Sequence, residues 1–173
     1  MEPVLHPLFQ QLEEQRQFLS QWVSAASPAK QETNPAPDKW SAAQVLYHIG
    51  FIEQKVLEEL QRRLASQKPL RPTSLKTWYR SVVLKLFLRL PLKFKAPQVV
   101  REVPSVAHVP AVLEQWQKTR VQLRALLEQF PVDLLNKEIF FHPIAGMLTL
   151  PQTLAFLHQH HRHHIPQLKK LLH

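Results

Sequence analysis

Only two glycines, Gly50 and Gly146, occur in the whole chain. Sandwiches and barrels need tight turns at every hairpin, and most of those turns use glycine. So scarce a supply argues for helices. The fifteen prolines must then sit in loops or in first helical turns. At 173 residues the chain has the size of one domain with a substantial core, and a single domain over residues 1–173 is expected.

Apolar residues at helical spacing locate four long helices. The first is expected over residues 3–23, with Leu5, Leu8, Leu12, Leu19 and Trp22 on one side and Pro3 at its start. The stretch from Ser27 to Lys39, rich in Pro, Asn and Lys, reads as a loop. Ser41 can cap a second helix over 41–66, whose stripe is Val45, Ile49, Ile52, Val56 and Leu60. Gly50 inside it costs about 1 kcal/mol of helix propensity. A third helix is expected over 110–130, with Val112, Leu113, Trp116, Leu123, Leu126 and Leu127 inward. Pro131 to Met147 reads as a long connection. Thr149 can cap the last helix, over 149–172, with Pro151 in its first turn. Its stripe runs through Leu154, Leu157, His161, His164, Leu168 and Leu171.

The middle of the chain differs in charge. The net charge is +9. From Gln61 to Arg101 there are eleven Lys or Arg and no acidic residue. This basic insertion falls between the second and third bundle helices. Residues 74–90 are expected to be helical and 93–110 extended. Trp78, Tyr79, Phe87 and Phe94 are interleaved there with Lys76, Arg80, Lys85, Arg89, Lys93 and Lys95. Such a segment is a solvated basic face, a membrane-surface helix or a nucleic-acid contact. No sequence-specific nucleic-acid-binding motif is visible. No apolar run reaches transmembrane length and no leader is visible. The chain has no cysteine, which excludes disulfides, thiolate metal sites and a cysteine nucleophile. A cytoplasmic location is expected.

Six of the ten histidines lie between His158 and His173. On a helix, residues four apart share a face with Cβ atoms about 6 Å apart, and two imidazoles so placed can bind one cation. His160 with His164 forms such a pair, and His161 with His164, three apart, is geometrically possible too. His163 points away from the apolar stripe and is expected to be solvated. The same run would also serve as a polar, cationic helix end. A third ligand must come from His6, His48, His108 or His142. His48 lies beside the apolar stripe of the second helix, where an imidazole needs a partner or a ligand.

Three blocks carry a resemblance. Lys39-Trp40-Ser41-Ala42-Ala43-Gln44-Val45-Leu46-Tyr47-His48-Ile49 looks like the Trp-Ser…His helix of the DinB/YfiT-like superfamily of metalloenzymes. His142-Pro143-Ile144-Ala145-Gly146 resembles its His-Pro-x-x-Gly connection. His160-x-x-x-His164-x-x-Gln167 resembles its terminal signature. The blocks follow the family's order and span residues 40–168. The resemblance implies an all-α four-helix bundle whose open end holds Zn or Ni through His48, His160 and His164. It also implies a metal-dependent enzyme acting on a small-molecule substrate, either a low-molecular-weight-thiol S-transferase or a hydrolase-like protein. With no cysteine in the chain, the thiol must be external. A second copy of the chain is an expected partner. The alternative is a non-catalytic, metal-stabilised module that binds an anionic partner or membrane surface through residues 62–101.

Two further residues bear on the site. Glu53, five residues beyond His48, is a candidate acceptor or general base, although the plainer expectation is an exposed helix carboxylate. His142 is a candidate to approach the site from its loop, or to support that loop. Where some family members have Arg-Gly, this chain has Ile165-Pro166. Pro166 cannot donate to the carbonyl of Arg162 and crowds it, so a kink one turn from the ligands is expected.

Overall fold

A computed structural model describes residues 1–66, 68–73, 79 and 103–173. Four long helices dominate these residues: α1 (His6–Ser24), α3 (Ala42–Ala65), α4 (Val109–Glu128) and α5 (Leu150–Leu172). They form the expected four-helix bundle, with ends within a few residues of those read from periodicity. Apart from Tyr79, the basic helix expected over 74–90 and most of the extended stretch after it lie outside the described residues. At the edge of that segment, Arg62 and Arg63 both pair with Glu59. No helix among the described residues is long and apolar enough to cross a membrane.

Local chemistry fixes where the helices begin. Ser41 accepts from the backbone N–H of Gln44, and the Gln44 side chain accepts from the N–H of Ser41. Thr149 and Gln152 repeat this reciprocal pair at the start of α5. Each pair satisfies two backbone donors that a bare helix end leaves orphaned. These two caps launch the helices that carry all three histidines implied as ligands.

Two expectations need correction. The loop over 27–39 contains a short helix, α2 (Pro28–Glu32). Ser27 caps it and Pro28 presets its first turn, and Lys30 Nζ reaches the Leu172 carbonyl at 3.0 Å. The connection over 131–147 contains a hairpin, β1 (Phe140–His142) paired antiparallel with β2 (Gly146–Leu148). Its turn closes because Gly146 takes a φ of 75°, open to a residue without Cβ. His142 Nδ1 accepts from the N–H groups of Ile144 and Ala145, both at 3.2 Å.

The core falls into two apolar clusters. One gathers Leu12, Val56, Leu60, Leu123, Leu127 and Leu157. The other gathers Leu19, Val45, Ile49, Trp116 and Leu168. Each fully buried Leu or Ile contributes about 1.5–3 kcal/mol relative to exposure. Gly50 lets α3 and α4 approach closely, since a Cβ there would lie 3.3 Å from Trp116 Cγ. Between the two clusters the helices present buried polar side chains: Gln15 from α1, Glu53 from α3, Thr119 and Arg120 from α4, and His161 from α5. The helix α5 runs on through Pro166 to Leu172.

Candidate metal centre

His48 sits on the second turn of α3, and His160 and His164 lie one turn apart on α5. The fold brings these three together. His48 Nε2 and His164 Nε2 each lie 3.2 Å from His160 Nε2. One nitrogen from each ring falls within 4.8 Å of the other two. The ring centroids are 4.8–5.1 Å apart. Trp40 lies against His48 at 5.0 Å between centroids, and Phe156 against His160 at 5.9 Å.

Burial keeps two of the three imidazoles neutral. Burial pushes the His164 imidazole down to about 3, reinforced by His48 beside it and opposed by its bond to Gln167. Burial, with His164 and His48 next in effect, holds His160 well below the usual imidazole range. At neutral pH both rings therefore offer lone pairs.

These residues fit a divalent cation. Nitrogens 2.0–2.1 Å from one tetrahedral ion lie about 3.3 Å from each other, close to the 3.2 Å separations here. Gln167 Oε1 lies 3.0 Å from His164 Nδ1. An amide oxygen only accepts, so the proton is on Nδ1 and the Nε2 lone pair faces the cluster. Three neutral imidazoles suit Zn, Ni, Cu or Fe alike, and so the donor set alone does not choose among them.

The other histidines are placed elsewhere. His161, the alternative partner for His164, turns away from the cluster, edge-on to Trp116. His142 caps the hairpin turn and packs on Phe156 at 4.6 Å. One aromatic ring thus separates it from His160, and it supports the loop rather than entering the cluster. His108 pairs with Glu32 at 3.0 Å, and His6 is exposed at the start of α1. His163, expected to be solvated, is half-buried with its ring 5.4 Å from that of His164. With Pro166 inside the continuous helix, the three rings converge.

Glu53 corrects the plainer expectation. It is fully buried, and its Oε2 accepts from Arg120 Nη2 at 2.7 Å and from Trp116 Nε1 at 3.0 Å. Burial raises its pKa, and the Arg120 guanidinium opposes the rise. Arg120, 2% exposed, was not singled out in the sequence. The signal was its spacing: it continues the series Val112, Trp116, Leu123, Leu127 as a charge in phase with the buried stripe.

Comparison with known proteins returns two findings. Residues 11–168 match the DinB superfamily. The fold is similar to that of YfiT from Bacillus subtilis, described as a probable metal-dependent hydrolase with an unusual four-helix bundle topology. That match has 21% identity and a TM-score of 0.64, and it covers 96% of this chain and 84% of that one. At such identity the likeness is one of fold. No curated protein sequence matches the chain.

Proposed function

This chain belongs to the DinB superfamily, and from that premise we propose that it is a divalent-metal-dependent enzyme using an external nucleophile, water or a low-molecular-weight thiol, against a small electrophile. The observation that carries the reading is the convergence of three imidazoles, with His48 and His164 Nε2 each 3.2 Å from His160 Nε2 and one nitrogen per ring within 4.8 Å of the others. His48, His160 and His164 would hold it, and Zn or Ni is the ion proposed. Bound by neutral ligands, such an ion keeps its full charge, acidifies a nucleophile and polarises a carbonyl or similar group.

The chain's own residues do the rest. Burial keeps His160 and His164 unprotonated and available at neutral pH. Gln167 holds the proton of His164 on Nδ1, fixing its tautomer. Trp40 and Phe156 flank the imidazoles and limit water at the sides of the cluster. A thiol nucleophile would come from outside, because the chain has no cysteine. The description of YfiT as a probable metal-dependent hydrolase supports water as one candidate.

The test is a screen of tag-free protein loaded with Zn or Ni against small electrophiles, with and without several thiols. Turnover in water alone supports hydrolysis, and turnover that needs a thiol supports S-transfer. In either case activity must vanish in a metal-free His160→Ala variant. Equal turnover in that variant contradicts the metal mechanism. No turnover with any loaded form favours a non-catalytic module.

A further inference from the structure

We infer that Glu53 is a positioning residue for the metal centre: clamped by Arg120 and Trp116, it fixes the rotation of α5 through His161 and so the meeting of His160 and His164 with His48. This inference rests on the metal reading above.

The starting observation is the polar layer that divides the core. All four long helices contribute to it, and Glu53, Arg120 and His161 are each no more than 2% exposed. One oxygen is its centre. Glu53 Oε2 receives Arg120 Nη2 at 2.7 Å and Trp116 Nε1 at 3.0 Å, and it lies 3.7 Å from His161 Nε2. The His161 ring in turn stands edge-on to Trp116, with centroids 5.4 Å apart and planes at 87°. Glu53, Trp116 and His161 thus form a closed triangle across three helices.

Stability does not require this layer. Among the described residues, Glu53 Oε1, Arg120 Nη1 and both His161 nitrogens are buried without a hydrogen-bond partner. Buried ion pairs replaced by apolar residues of similar volume often leave a protein as stable or more so. Two apolar clusters already hold the bundle above and below. The layer therefore serves something that apolar packing would not.

Geometry identifies that service. His160 and His161 are adjacent on α5, so their side chains diverge by about 100° around its axis. His160 meets α3 at His48. His161 meets α3 and α4 at Glu53 and Trp116. Two contacts at different azimuths fix the roll of a helix, whereas one leaves it free to turn. The tolerance is small: a roll of about 5° moves a side-chain tip by about 0.5 Å at the radius of a helix with its side chains. Metal–nitrogen bonds in a working site hold within about 0.2 Å. An apolar stripe can slide by more than that. The Glu53 carboxylate is itself fixed by Arg120 and Trp116 from α4, so the surface that His161 packs against does not slide.

The experiment uses the full chain without a tag and Co(II) as the probe. Affinity is measured by chelator competition, and site geometry by the visible ligand-field band. His161→Leu keeps the side-chain volume and removes the contact to Glu53. The double variant Glu53→Leu with Arg120→Met removes both charges together, leaving neither one buried alone. The expected result is Co(II) affinity lower by about tenfold or more in both variants, in the range seen when outer partners of a metal site are removed. The visible band should also change in shape or intensity. The metal-free His161→Leu protein should melt at the wild-type temperature or above. Affinity within about twofold of wild type and an unchanged band, whatever the melting temperature, would overturn the inference. Wild type that binds no Co(II) would overturn the metal reading itself, and that result is visible before any variant is made.

Discussion

His164 Nδ1–H donates a hydrogen bond to Gln167 Oε1 at 3.0 Å, across a single turn of α5. The bond commits the Nε2 lone pair of His164 to the cluster it shares with His48 and His160. Replacing the amide removes that commitment. In Gln167→Leu the His164 ring is free to change tautomer and to rotate, while the helix keeps a good helix former. Zinc affinity should fall by about 10–100-fold, with helix content unchanged. Competition against a chromophoric chelator measures the first, and far-ultraviolet circular dichroism the second.

His142 links the hairpin to pH. Burial pushes its imidazole down to about 4, against about 6.5 in an unfolded chain. Between those values the unfolded chain binds a proton that the folded one excludes. The contribution is therefore complete above about pH 6.5 and is lost as pH falls toward 4, at no more than about 1.4 kcal/mol per pH unit. Protonation at Nδ1 would also remove the acceptor for Ile144 and Ala145. Urea melts of the metal-free protein should show up to about 2 kcal/mol lost to this group between pH 7 and pH 5. In His142→Asn, whose side chain can still accept from the turn, the loss should be smaller by that amount. An identical pH slope in the two proteins would contradict this account of the hairpin.

Gly50 offers a test of sign. Alanine in a helix interior normally gains about 1 kcal/mol over glycine. Here its Cβ would stand 3.3 Å from Trp116 Cγ. Trp116 cannot yield freely, because Nε1 is bonded to Glu53 and the ring lies against His161. Crowding of this kind costs about 1–3 kcal/mol, enough to cancel or reverse the gain. Gly50→Ala should leave the melting temperature unchanged or lower it. A rise would show that α3 and α4 can separate at little cost.

What the sequence made legible follows the range of the interactions concerned. Ser41 and Thr149 cap within one turn, and they marked the starts of α3 and α5 correctly; the reciprocal bonds of Gln44 and Gln152 came from the structure. The apolar stripes are equally local. The pairing of His160 with His164 on one face was legible for the same reason. Their approach to His48, 112 positions away, was not fixed by spacing: the apolar stripe beside it made His48 a candidate, and the family resemblance chose it. Glu53 misled because its burial depends on Arg120, 67 positions away. Taken alone, a glutamate beside an apolar stripe reads as surface. The hairpin escaped because strands of three residues are too short to show an alternation. The five residues of α2 are likewise too few for a helical period.

The central claim is that His48, His160 and His164 together hold one divalent cation, and X-ray absorption of the tag-free protein loaded with one equivalent of zinc tests it most directly. The account predicts one tightly bound zinc per chain, with the outer-shell scattering of three imidazoles and first-shell nitrogens at about 2.0–2.1 Å. His160→Ala should lose both the binding and that pattern. Zinc bound without three imidazoles, or bound as tightly to His160→Ala as to the parent chain, would contradict it.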